Sequence, residues 1–238
     1  MSEIGYCSRR GADKLIAARR VTVNGRLPEV GAQIDPARDT VAVDGKEIGG
    51  APVDRVYIAL NKPVGIVCTT DTRVKPDNIV DFVGFERRIF PIGRLDKPSE
   101  GLIFLTNDGD MVNKVLRAGN NHEKEYEVTV DKPVTKGFLR RMGAGVPVLG
   151  QITRECEVWG TGERTFTIVL TQGLNRQIRR MCEFLGYRVT KLKRVRVMHM
   201  RLDTPEGRWR HFSEAEVAEL NRLVRHSSKL PPGAAGGR

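Results

Sequence analysis

The sequence predicts an α+β protein organised on a mixed, mostly antiparallel sheet. Segments with strand character outnumber helical ones, and the helices do not alternate with strands as they do in a doubly wound chain. Residues 122–130 also alternate strictly. His122, Lys124, Tyr126, Val128 and Val130 share one face, and Glu123, Glu125 and Glu127 share the other.

Each element follows from local chemistry. Ser8 is placed to cap a helix over Arg9–Arg19 whose apolar side is Ala12, Leu15 and Ile16. Val21-Thr22-Val23 runs into an Asn24-Gly25 turn, and Val41-Ala42-Val43 into Asp44-Gly45, two strand-then-turn signals. Residues 1–48 therefore read as a small module, followed by a Gly/Ala/Pro linker over 49–54. The larger part, 55–225, opens with a strand Val56–Leu60, a turn over Asn61-Lys62-Pro63-Val64-Gly65 and a second strand Ile66–Thr69. A short helix over Asp77–Val83, an apolar stretch Ile89–Ile92 and a strand Leu102–Leu105 come next. Asp108 heads a helix bearing Met111, Val112, Val115 and Leu116. Beyond the alternating strand, a helix is expected over Thr135–Met142 and strands over Ile152–Trp159 and Arg164–Gln172. Arg176–Leu185 is a helix on the spacing of Ile178, Met181, Cys182 and Leu185, with Gly186 where a C′ glycine belongs. Tyr187–Leu202 is β-branched and basic, hence extended. Ser213 and Glu216 form a capping box ahead of a last helix bearing Val217, Leu220 and Val224. Residues 226–238 read as a disordered tail.

Composition narrows the partners. The chain of 238 residues carries a formal charge of +11, and its distribution is uneven. Between Gln172 and Arg201, nine basic residues face one acid, Glu183; near the N-terminus Arg9, Arg10, Lys14, Arg19, Arg20 and Arg26 are countered by Asp13. Two such patches suit a polyanion held at two places, whereas solvated surface charge is the plainer reading. No apolar run is long enough to cross a bilayer and no signal-peptide pattern opens the chain, so no membrane partner is expected. Cys7, Cys68, Cys156 and Cys182 are far apart, which points to free thiols in a reducing, cytoplasmic setting and to no metal.

Several chemistries are excluded. The sequence has no Walker-type phosphate loop, HExxH, GxSxG or strand-borne GxGxxG. Its four histidines are scattered, and His199 on a basic strand reads as a surface residue or phosphate contact. Asp96 follows Gly93-Arg94-Leu95 and precedes Lys97-Pro98-Ser99-Glu100-Gly101. On sequence physics alone it is a turn-forming aspartate. Tyr126 by itself is equally a core tyrosine, and Arg179 a phosphate-binding arginine.

Gly93-Arg94-Leu95-Asp96 resembles the G-R-L-D motif of the RsuA/RluA-type pseudouridine synthases. Asn61-Lys62-Pro63-Val64-Gly65 looks like the family's N-K-P-x-G turn, and Lys124-Glu125-Tyr126 like its K-x-Y motif. Residues 172–181, Gln-Gly-Leu-Asn-Arg-Gln-Ile-Arg-Arg-Met, are similar to its third motif. The four stand in the family's order and cover nearly the whole chain; residues 77–83, 101–107 and 122–126 read like a branch acting on large-subunit (23S) ribosomal RNA. Residues 1–48 resemble the family's S4 RNA-binding module through Ser8-Arg9-Arg10, Ala12-Asp13 and Val21 to Gly25. Two departures stand out: the opening R-L-N-K-Y turn is missing, as though the first helix were truncated, and Arg19 takes a place where the family commonly has Gly.

The resemblance implies a pseudouridine synthase catalytic fold with flanking helices, preceded by the S4-like domain, and a cofactor-free isomerisation of uridine to pseudouridine. Asp96 would be the catalytic carboxylate, either attacking C1′ or removing the 2′ proton. Arg179 would pair with it, and Tyr126 would set its ring against the base. Arg94, Leu95 and Ile178 would line the base pocket, Arg94 filling the space left by an everted base and Ile178 belonging to the pocket rather than the core. Arg9, Arg10, Lys14, Arg19, Arg20, Arg176 and Arg180 would contact phosphates of a structured RNA, ribosomal or alternatively transfer RNA. The chain is expected to be a monomer. Rival readings are a non-catalytic S4-type RNA-binding protein and a glycosidase, for which Glu100 is the nearest second carboxylate.

Overall fold

The computed structural model describes residues 1–2, 4–35, 37–49, 54–71, 73–74, 77–116 and 121–227. Most of the expected linker and tail lies outside them. The chain divides into two compact units, Met1–Arg55 with Asn107–Gly109, and Val56–Thr106 with Asp110–Arg238.

In the first unit α1 (Arg9–Ala17) is capped by Ser8, whose side chain accepts the Gly11 N–H at 2.9 Å. Ala12, Leu15 and Ile16 are half-buried along its inner side. The helix stops where Arg19 turns left-handed, φ 57°, and Arg20 N–H returns to Leu15 O. That conformation costs a side-chain-bearing residue about 1–2 kcal/mol. The space Arg19 fills is therefore one that glycine fills more cheaply. β1 (Val21–Val23), β2 (Val41–Val43) and β3 (Lys46–Ile48) form an antiparallel sheet. Asn24-Gly25 and Asp44-Gly45 each take two successive positive φ values, as tight hairpin turns require. Val21 and Val43 are buried beneath it.

The second unit holds β4 (Tyr57–Lys62), α2 (Ile79–Val83), β5 (Phe90–Ile92), β6 (Glu100–Thr106) and most of α3 (Gly109–Leu116). There follow β7 (Lys124–Val130), α4 (Lys136–Gly143), β8 (Pro147–Val148), β9 (Gln151–Ile152), β10 (Glu157–Gly162) and β11 (Thr165–Leu170). The chain continues through α5 (Gln177–Phe184), β12 (Val189–Val197), β13 (Met200–Arg201) and β14 (Trp209–His211) to α6 (Glu214–Leu223). Strand order is β10-β11-β7-β12-β6-β4-β14, with β13 on β12 and β5 on β6. Among the described residues β12–β6 is the parallel pair, and the remaining ladders are antiparallel. A mixed, mostly antiparallel sheet is thus what forms. At the parallel junction Gly101 (φ 107°) faces Arg194, and a Cβ there would run into the Arg194 carbonyl oxygen.

Three apolar clusters pack on the sheet. One centres on Val128, Phe166, Ile168, Met181 and Cys182, a second on Phe104, Met111, Phe212 and Leu220, a third on Ile58, Leu60, Ile79 and Ile103. Tyr126 packs against both the first and the third.

Several boundaries differ from the sequence reading. Asn61 and Lys62 remain in β4, because Asn61 N–H finds Arg208 O and β6 still faces both residues. Ile66–Thr69 forms only a bridge, Val67 to Asn78, since Val67 N–H bonds to Asp77 O and Thr69 N–H to Val67 O. Ile152–Trp159 is not one strand. Thr153, Arg154 and Cys156 send their N–H groups to Val146 O, Gln172 Oε1 and Gly143 O, separating the β8–β9 hairpin from β10.

Candidate active site

The loop between β5 and β6 is fastened at nearly every residue. Gly93 (φ 84°) begins it, where a Cβ would press on Leu116 at 2.8 Å. Leu95 is buried, and its N–H donates to Cys68 Sγ at 3.3 Å. Ser99 N–H closes the turn on Asp96 O at 3.0 Å, and Gly65 N–H reaches Lys97 O at 2.9 Å. Behind the turn Lys62 is fully buried, donating to Pro63 O and Ile66 O. Burial pushes its ammonium below the usual lysine range, with the charges of Cys68, Asp96 and Glu100 opposing.

α5 brings the guanidinium partners. Arg179 is buried and held by Val189 O (3.3 Å), Pro98 O (3.2 Å) and Ser99 Oγ (3.1 Å). Its Nε has no hydrogen-bond partner and stands 3.9 Å from Asp96 Oδ2. Burial lowers its pKa, the nearby Arg176 charge adds to that, and Asp96 opposes it. Arg176 Nη1 lies 3.6 Å from the same Oδ2. The loop before α5 is pinned by Leu174 N–H to Gln177 Oε1 and by Arg180 to Asn175.

Asp96, Arg176, Arg179 and Tyr126 all line one cleft of about 890 Å³, large enough for a nucleotide. Leu95, Ile178, Leu192 and Leu170 give it apolar walls. Among the described residues Asp96 is its one carboxylate, against Arg94, Lys97, Lys124, Arg176, Arg179 and Arg194. Four segments separated in sequence (61–65, 93–96, 124–126 and 172–181) thus converge on one turn and one cleft.

Residues 56–184, more than half of the chain, match the family described as RNA pseudouridylate synthase. The chain is 56% identical to the dual-specificity RNA pseudouridine synthase RluF of Salmonella typhi over 245 aligned positions, covering 99% of this chain and 84% of that protein. It is 32% identical to an uncharacterised RNA pseudouridine synthase of Aquifex aeolicus, covering 94% and 92%. A crystal structure of a pseudouridylate synthase superposes with a TM-score of 0.67 at 26% identity, over 92% of this chain and 96% of that one. The chain belongs to the RNA pseudouridylate synthase family.

The remaining residues of this synthase singled out by sequence fall into different settings. Arg94 is exposed at the cleft, whereas Leu95 lies in the third apolar cluster. Ile178 was expected in the pocket rather than the core; it lines the cleft and also belongs to the first core cluster, because the cleft floor is that cluster's outer surface. Arg180 is spent on Asn175 and is not among the cleft-lining residues. In the first unit Arg9, Arg10, Lys14 and Arg19 are exposed, while Arg20 forks onto Asp44. His199 is no surface phosphate contact: its Nε2 sits 3.2 Å from Glu216 O and its Nδ1 is buried. Glu100 pairs with Lys191 at 3.2 Å and does not line the cleft, which deprives the glycosidase reading of its second carboxylate. Sequence reasoning missed Lys62, Cys68 and Ser99 as supports of the Asp96 turn. The place of Lys62 in the Asn61-Lys62-Pro63-Val64-Gly65 segment was the available signal for the first; nothing marked the others.

Proposed function

We propose that this protein isomerises a specific uridine of RNA to pseudouridine, with Asp96 as the catalytic carboxylate. The observation that carries the reading is the Asp96 carboxylate, the single one lining this nucleotide-sized cleft among the described residues, faced by two guanidinium groups. The uracil N1–C1′ bond breaks, the base turns, and a C5–C1′ bond forms; N1 gains a proton and C5 gives one up. Electrons are neither gained nor lost, so the protein's own groups suffice. The Asp96 carboxylate begins the reaction by attacking C1′ or taking the 2′ proton, and Arg179 balances its charge where water is scarce. Tyr126, packed between two cores, offers a rigid ring to the base. A stacked uridine must be everted to reach it, at a cost of a few kcal/mol. Arg94, exposed at the rim, fits the gap that eversion leaves.

The RNA we assign is 23S ribosomal RNA, with a transfer RNA as a second substrate in keeping with the dual-specificity name of the relatives. Residues 1–48 act as an S4-like RNA-binding module ahead of a catalytic domain over 55–225, and Arg9, Arg10, Lys14 and Arg19 supply its phosphate contacts. The protein works as a monomer in the cytoplasm, in keeping with four cysteines that lie far apart in the sequence. Among the described residues no helix is long and apolar enough to cross a membrane.

Tritium release from RNA carrying 5-tritiated uridine tests the assignment. Asp96→Asn is expected to abolish release while RNA still binds. Activity within about tenfold of the wild type, equivalent to about 1.4 kcal/mol of barrier, would remove Asp96 from the role.

A further inference from the structure

The cleft holds one more positive charge at Asp96 than ion pairing needs. Arg179 is fixed by three oxygen acceptors and is nearly inaccessible. Arg176 differs in exposure and in how its side chain is held. Its side chain is 41% exposed, and at 3.6 Å its approach to Asp96 is an ion pair rather than a hydrogen bond. Among the described residues Asp96 is the one ion-pair partner of its side chain. Its backbone, by contrast, is held tightly. Arg176 is left-handed (φ 50°, ψ 36°) at the start of α5, without a side-chain cap. Arg180 bonds to Asn175 on one side, and Gln177 accepts Leu174 N–H on the other. A left-handed arginine costs about 1–2 kcal/mol relative to glycine, and asparagine is the other residue that visits this region routinely. The fold thus retains a strained backbone that aims a loosely held guanidinium into the cleft beside the carboxylate.

We propose that Arg176 is a shuttling phosphate ligand. With the cleft empty it pairs with Asp96. When RNA enters, it transfers to a backbone phosphate flanking the everted nucleotide, leaving Asp96 to Arg179 and open to the ribose. The charges support this: Arg176 and Arg179 both approach Asp96, so the carboxylate keeps a cationic partner when Arg176 moves to a phosphate monoanion. Arginine suits the exchange because its planar fork grips carboxylate and phosphate oxygens alike. The proposal rests on the function assigned above and gives Arg176 a second partner within that same site.

The test is a double-mutant cycle in RNA affinity, measured on the full chain by filter binding to a 23S ribosomal RNA transcript. Tritium release by the wild-type protein is checked first on that transcript; if none occurs on any cellular RNA, the assigned function fails and this inference with it. Arg176→Asn keeps a residue that tolerates the left-handed backbone, and Arg176→Lys keeps the charge; melting curves verify that both fold. Arg176→Asn is expected to flatten the slope of log affinity against log salt by about 0.7 to 0.9, one phosphate contact. Arg176→Lys is expected to retain the slope. Asp96→Asn, which frees Arg176, is expected to tighten binding by about two- to fivefold. That gain should vanish in the Arg176→Asn background. An unchanged salt slope in Arg176→Asn, or an equal gain from Asp96→Asn in both backgrounds, would overturn the proposal.

Discussion

Lys124 is a buried cation on the wall of the cleft, donating to His122 O at 2.9 Å. Burial, reinforced by Arg194, pushes its pKa down to about 8 from 10.5. The folded value lies below the unfolded one, so between pH 8 and 10.5 the unfolded chain holds more protons and stability rises with pH. Below pH 8 the full penalty of enclosing the charge is felt. From about pH 7.5 to about pH 9.5 the wild type should therefore gain on the order of 2 kcal/mol relative to Lys124→Met, measured by urea unfolding at each pH. A difference between the two that does not change with pH would show the charge is not confined. The thiols of Cys156 and Cys182, raised by burial to about 11 and about 12, act in the opposite direction but cancel in this comparison. At this scale the sequence was informative about which residues meet and silent about how they are held. Asp96, Tyr126 and Arg179 were legible because they sit in motifs whose spacing survives in a linear string. The supporting roles of Lys62, Cys68 and Ser99 were not, even with Lys62 inside a motif, because they lie in which carbonyl, N–H or guanidinium each finds after folding.

β6 and β12 join where Gly101 lies against Arg194. Gly101→Ala would place a methyl group on the Arg194 backbone and also force alanine to φ 107°. Neither backbone can yield without breaking a ladder on its far side. A loss of at least about 3 kcal/mol in urea unfolding is expected, and a cost under about 1 kcal/mol would mean that the junction is softer than the geometry implies. Periodicity located the long elements well, such as β7 and α5, since each buries one face over several repeats. It failed on short ones that no turn or cap signal marked. β14 is Trp209-Arg210-His211, three residues that owe their strand conformation to pairing with β4. β8 and β9 carry two residues each, meeting at a left-handed Leu149 followed by Gly150, where the usual signal is Asn or Asp before Gly. β3 was hidden for a related reason: Lys46-Glu47-Ile48 has no alternation of its own and is defined by its register on β2.

A formal charge of +11 overstates what the molecule offers to an RNA. Of the basic run between residues 172 and 201, Arg179 and Arg194 are interior, and Arg196 is bonded to Glu123 and Glu125. Elsewhere Lys62 is enclosed and Arg210 is shared between Asp203 and Glu216. Counting residues therefore inflates the expected salt sensitivity. Arg196→Gln should lower stability yet leave the salt slope of RNA binding within about 0.3 of the wild type; a drop near 0.9 would mean that Arg196 does reach a phosphate. The strand order has a further bearing, on how the polypeptide is made. β12 lies between β7 and β6, so the half of the sheet carrying Asp96 and the half carrying Tyr126 are bridged by a strand synthesised after both. Until the ribosome has released residue 197, the nascent chain exposes two open strand edges, one along β7 and one at the Glu100–Gly101 end of β6, to any neighbour able to pair with them.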